Sequence, residues 1–230
     1  MNRELVISTL FDALQQPPMV FEFTADTTTG ETALTNVSDT SGLQAGMPIS
    51  GPGIEIGATL ASIVPSVTLS LPAIADASAV ALTQGFQTAS RRLAHPSQEV
   101  DKPAMYLLDI GEEHPTRGSN SAYFAIIHSE LWIYSDAGAD PNSAFSPASA
   151  LNNLIDAVEK VLNPSGSDPG GGFQQTFGLE GLLYARIEGE IQKDPGYDGK
   201  LAGCIIPIRI AVFTGLPTQF RSALRQQMEG

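Results

Sequence analysis

The chain has 230 residues, with 12 Lys or Arg against 25 Asp or Glu, a formal net charge of -13 and 42% hydrophobic residues, enough for one medium domain or two small ones. Phosphate groups are bound by clustered Lys and Arg, so this acidic balance argues against duplex DNA or an anionic membrane as the principal partner. The single cysteine excludes an internal disulfide framework and a Cys-only zinc site.

The N-terminal residues predict an amphipathic helix over residues 3–15, ended by Pro17 and Pro18. Charged residues interrupt the apolar stretch that a signal peptide would need. No run of the chain reaches the roughly 18 apolar residues of a membrane span, so we expect a soluble protein without a membrane partner. The apolar face of this helix comprises Val6, Ile7, Leu10, Phe11 and Leu14.

A break in composition follows, because residues 24–85 contain no Lys, Arg, His or aromatic residue but five acids. Thr, Ser, Ala, Val, Ile and Leu interspersed with Gly and Pro are typical of short strands joined by tight turns. We therefore predict an inserted small β-domain, sandwich- or barrel-like, within an α+β domain formed by residues 1–23 and 86–230. A low-complexity linker is the alternative. The predicted strands span residues 33–37, 56–63, 67–71 and 80–83.

Beyond the break, apolar alternation predicts strands at residues 87–93, 104–110 and 122–134, the last apolar on both faces and therefore expected to be covered on both. Ser146 and Pro147 begin a second helix that ends before Pro164. Residues 182–192 and 202–213 predict a long antiparallel hairpin, in which Pro207 indicates an edge position or a bulge. A closing helix is predicted at 218–228. These elements predict an α+β fold on a mostly antiparallel sheet flanked by helices.

No group of residues indicates catalysis, so we expect neither an enzyme nor a cofactor or metal requirement. His128 with Glu130 could form a base and its orienting acid, but a polar pair on a strand face is the favoured reading. The turn at residues 194–199 lacks the glutamate at the twelfth position of a calcium loop, and is better read as a hairpin turn. Cys204 is expected to be a small buried apolar residue.

Several segments resemble the tail terminator (minor tail) proteins of long-tailed bacteriophages. They are FQTASRRL, KPAMYLLDIGEE, SELWIY, ALNNLIDAVEKVLNP and above all LLYARIEGEIQKDPGYDGKLAGCIIPIRIAV. The similarity covers residues 1–18 and 86–213. It implies a helix-flanked antiparallel sheet and a ring, expected to be hexameric, that caps the tail tube, stops its polymerisation and provides the head-joining surface. The inserted β-domain departs from the simple family pattern.

The resemblance implies assembly in the host cytoplasm and a place in the virion at the neck end of the tail. The partners would be further copies of the chain, the tail tube protein and a head-completion or connector protein, with DNA only passing through the lumen. An acidic wall would repel that DNA. Two alternatives stay open, a head-completion or connector protein of the neck and a tail-associated module that binds through the β-insert.

A closed ring requires two different surfaces on each subunit. We expect the subunit or tube interface to include the charged face of the long hairpin, with Arg186, Glu188, Glu190 and Arg209. The adjacent arginines Arg91 and Arg92, the one basic doublet in the chain, are a further candidate, with a solvated strand end as their alternative.

Overall fold

The computed structural model describes residues 2–93, 101–114, 123–136, 147–162, 176–194 and 201–215, which form an α+β structure with mostly antiparallel sheets. The predicted closing helix at 218–228 and most of the 194–199 turn lie outside these residues. The elements are α1 (Arg3–Ala13), β1 (Val20–Thr27), β2 (Ile49–Ser50), β3 (Leu60–Ser62), β4 (Thr68–Leu69), β5 (Ala77–Gly85), β6 (Thr88–Ser90), β7 (Ala104–Glu113), β8 (Tyr123–Asp136), α2 (Pro147–Leu162), β9 (Leu182–Ile187), β10 (Gln192–Asp194) and β11 (Leu201–Gly215).

The larger sheet has six strands, in the order β10, β11, β8, β7 and β6, with β9 also paired to β11. Every pairing in it is antiparallel except that of β6 with β7. Strand β11 therefore lies inside the sheet, with β8 on one side and both β9 and β10 on the other. The predicted hairpin of residues 182–192 and 202–213 is confirmed, with its first strand divided in two.

Pro207 pairs with Glu130 of β8 and lies opposite the gap between β9 and β10, so of the two predicted positions, an edge or a bulge, the edge is wrong. In an antiparallel pair the N–H and C=O of one residue point to the same neighbour. The Pro207 carbonyl accepts a bond from the Glu188 amide (3.1 Å), so the missing proline donor also faces β9 and β10. Gly189, with φ +131, lies against the Pro207 ring, where an added Cβ would come within 2.9 Å of the Pro207 Cγ. The proline thus interrupts the neighbouring strand instead of ending its own sheet.

Helices α1 and α2 cover one face of this sheet. Their apolar side chains share one buried cluster with alternate residues of β8, such as Leu131, and of β11, such as Ile206. The helical spacing of apolar residues in α1 and α2 predicted both buried faces correctly. Asn2 caps α1 by accepting the amide of Glu4 at 3.0 Å. The side chains of α1 in the cluster are Val6, Ile7 and Leu10, and those of α2 are Leu151, Leu154, Ile155, Ala157, Val158 and Leu162.

Residues 20–85 build two smaller sheets. Strand β5 lies between β1 and β2, and β3 pairs with β4. A second hydrophobic cluster fills this part, with Phe23, Leu60 and Leu82 among its buried members. Strands β1 and β2 were not predicted, and the predicted strand at 33–37 is reduced to isolated bridges at Ala33 and Thr35. Within the described part of the chain, the buried hydrophobic side chains thus form two clusters, one on each set of sheets.

Within residues 20–85, Asp26 hydrogen-bonds two residues whose backbones have left-handed (positive φ) conformations. Its carboxylate accepts the Ala79 amide and the Asn36 side-chain amide, each at 2.6 Å, and both of those residues have φ 50. The hydrogen bond from Ala79, followed by that from Asn36, lowers the pKa of Asp26. The backbone strain at Ala79 is thus offset by a charge-assisted hydrogen bond.

The loop at residues 42–47 joins the two parts of the chain. Met47 belongs to the larger cluster, and the Asn153 side chain of α2 donates to the Gly46 carbonyl at 2.7 Å. Lys160 of α2 donates to the Gln44 side chain at 2.9 Å. Helix α2 therefore contacts the sheet on one side and residues 42–47 on another.

Candidate interaction surface

Among the residues that the structure describes, the second face of the six-stranded sheet is only partly covered, whereas both faces of β8 were expected to be buried. Strands β8, β9 and β11 here present polar and aromatic side chains that are neither buried nor fully exposed. The helices of the described residues lie on the opposite face. We call this the open face; its half-exposed members are Phe124, His128, Glu130, Trp132, Tyr134, Tyr184, Arg186, Glu188, Ile205, Pro207, Arg209 and Phe213.

Two arginines lie directly opposite one another on the open face. Arg186 of β9 and Arg209 of β11 are register partners, an arrangement of like charges that would destabilise the pair if nothing intervened. Glu188 follows Arg186 by two residues and so returns to the same face. Its carboxylate accepts the Arg186 Nε at 2.7 Å and also binds the Nη1 of Arg209. One carboxylate therefore joins two guanidinium groups, and Tyr184 stacks on Arg186 with 4.5 Å from the Arg186 Cζ to the ring centre.

The ionisation of Glu188 follows from these contacts. Partial burial raises the pKa of Glu188 and is the largest single effect, but the hydrogen bonds from Arg186 and Arg209 together outweigh it, so its pKa is lowered. The bond to Glu188 in turn raises the pKa of Arg209. Glu188 therefore stays ionised at neutral pH, beside the cation of Arg209. They present both signs of charge within a few ångströms, a pattern suited to a polar protein interface.

His128 does not form the predicted pair with Glu130. His128 lies on β8, directly opposite Arg209 of β11. Its Nε2 is 3.2 Å from the Glu113 carboxylate at the end of β7. The Glu130 carboxylate instead accepts the indole N–H of Trp132 at 2.8 Å. The favoured prediction of a polar His128–Glu130 pair is therefore wrong. His128 contacts Glu113, and Glu130 contacts Trp132.

The other predicted interface residues are not part of this group. Glu190 is exposed and has no ion pair within the described ranges. Arg91 and Arg92 follow β6, at the opposite edge of the sheet from β9. Arg91 forms a two-bonded ion pair with Glu4 of α1, in which the Nη2–Oε2 distance is 3.2 Å. That bond raises the pKa of Arg91.

A second ion pair lies near Arg91. Arg3 of α1 donates two bonds of 2.6 Å to the Glu112 carboxylate of β7. The hydrogen bond from Arg3 lowers the pKa of Glu112, and the hydrogen bond to Glu112 raises that of Arg3. These paired charges connect the start of α1 to the outer strands of the sheet.

The predicted interface residues did not include Glu113 or Tyr184. The period of two along β9 does place Tyr184 on the polar face with Arg186, but the prediction counted only the charged residues of that face. Glu113 comes from β7, whose approach to His128 depends on a bulge between Asp109 and Gly111. A bulge shifts the register by one residue, and no local pattern in the sequence indicated it.

Cys204 lies in the larger hydrophobic cluster, as predicted, and burial raises its pKa to about 12. Because the thiolate is the reactive form, we expect alkylation of the folded protein near pH 8 to be at least about 1000-fold slower than in denaturant. Mass spectrometry of timed iodoacetamide reactions measures this. Comparable rates in both states would show that the thiol is accessible in the folded chain.

No protein-family model and no curated protein matches this chain. The residues that the structure describes contain no group of three or more His, Cys, Asp or Glu able to hold a metal ion. Neither described helix is long and apolar enough to cross a membrane.

Proposed function

We propose that the chain is a structural protein of a phage or phage-like tail, which forms a ring, expected to be hexameric, on the end of the tail tube. The ring stops polymerisation of the tube and provides the surface that joins the head. In this proposal residues 24–85 are an inserted β-domain within the ring-forming α+β unit. The protein acts in the virion, at the neck end of the tail, after assembly in the host cytoplasm.

The observation that carries the proposal is the joined charge group of Arg186, Glu188 and Arg209 on the open face. It lies on the pair of strands where the sequence most resembles tail terminators, IEGEI and IPIRI. The face around it combines these charges with half-exposed aromatic rings, the composition of a protein-protein contact. A subunit of a closed ring needs such a surface for its neighbour or for the tube.

Exchanging the charges of Arg186 and Glu188 tests whether the open face takes part in assembly. In the double variant Arg186→Glu with Glu188→Arg, position 186 would hold a carboxylate opposite Arg209, so the fold keeps a cross-strand ion pair. The signs of the charges that positions 186 and 188 present to a neighbouring subunit are exchanged. We expect at least a tenfold rise in the concentration needed for half-assembly, because lost charge pairs at an interface cost about 1.4 kcal/mol or more.

Light scattering on the purified variants measures that concentration. Glu22→Arg, a charge reversal at an exposed position of β1, is the matched control and should assemble as the unmodified chain does. An oligomer mass unchanged by the double variant would count against the open face as an interface.

Binding to tube ends separates the terminator from a connector. Negative-stain images of the protein mixed with polymerised tail tube protein should show rings seated on tube ends, and tubes that stop growing when the protein is added. Native mass spectrometry gives the ring's subunit number. A protein that does not bind tube ends but binds the head vertex would instead be a neck connector.

A further inference from the structure

We draw no further inference here: the strongest candidate, the aromatic cluster that Trp132 and Tyr134 of the open face form with the buried Tyr106, belongs to the interaction surface already described, and nothing in the structure shows what covers its two half-exposed rings.

Discussion

Replacing Gly85 by alanine is expected to lower the free energy of unfolding by roughly 3–5 kcal/mol, from backbone strain together with steric overlap. Gly85 ends β5 with φ +90, and its amide donates to the Pro48 carbonyl at 2.8 Å. An added Cβ would overlap the Met19 carbonyl oxygen. Because that atom belongs to the backbone, relief requires a shift of the chain where it enters β1, beside the larger core. Urea unfolding with an unchanged m-value measures the loss.

Gly30→Ala is the control for backbone conformation. Gly30 has φ +82, but an added Cβ would meet no atom within 4 Å. Its cost should therefore be only the left-handed strain of about 1–2 kcal/mol. Equal losses in the two variants would show that the Met19 carbonyl can move aside freely.

Gln84→Leu is expected to cost roughly 3–5 kcal/mol, because it leaves several buried backbone groups without partners at about 1–3 kcal/mol each. The Gln84 side chain is fully buried in β5. Its Oε1 accepts the Gln44 amide at 2.6 Å, and its Nε2 donates to the carbonyls of Pro18 and Gly42 at 3.1 and 3.2 Å. One side-chain amide thus binds two separate stretches of chain, at Pro18 and at residues 42–44. Leucine has a similar size but can replace none of these bonds.

Gln87→Leu serves as the control for Gln84→Leu, since Gln87 is exposed just beyond the same strand. Its effect should stay within about 0.5 kcal/mol, as for other surface substitutions. Thermal unfolding followed by circular dichroism compares the two. If Gln84→Leu were as stable as Gln87→Leu, water or other groups would have to satisfy the Gln44 amide and the two carbonyls.

Local periodicity predicted the elements whose partners could be read from their own sequence. The apolar spacing in α1 and α2 marked the buried faces correctly, and the apolar alternation located β7, β8 and β11 as strands. Strand β1 was missed because its partner β5 follows more than 50 residues later. The sequence VFEF therefore looked like a boundary between two compositions. Pairing between distant strands has no local signal.

The candidate site was predictable to a similar extent. Alternation along one strand placed Arg186 and Glu188 together, and the hairpin pairing brought Arg209 beside them. Glu190 follows at the same spacing, but the break opposite Pro207 removes it from the group. The separation of Arg91 from these residues depends on the parallel pairing of β6 with β7, which composition did not indicate.

The central position of β11 also determines the order in which the chain can fold during synthesis. Residues 20–85 can pair β1 with β5 as soon as they leave the ribosome. The larger core cannot close then, because β11 supplies the strand between β8 and β9 and is translated after both. At a translation rate of about 5–20 residues per second, the apolar faces of β8 and α2 stay uncovered by β11 for on the order of ten seconds. During that interval the nascent chain is most exposed to aggregation and has most need of a chaperone.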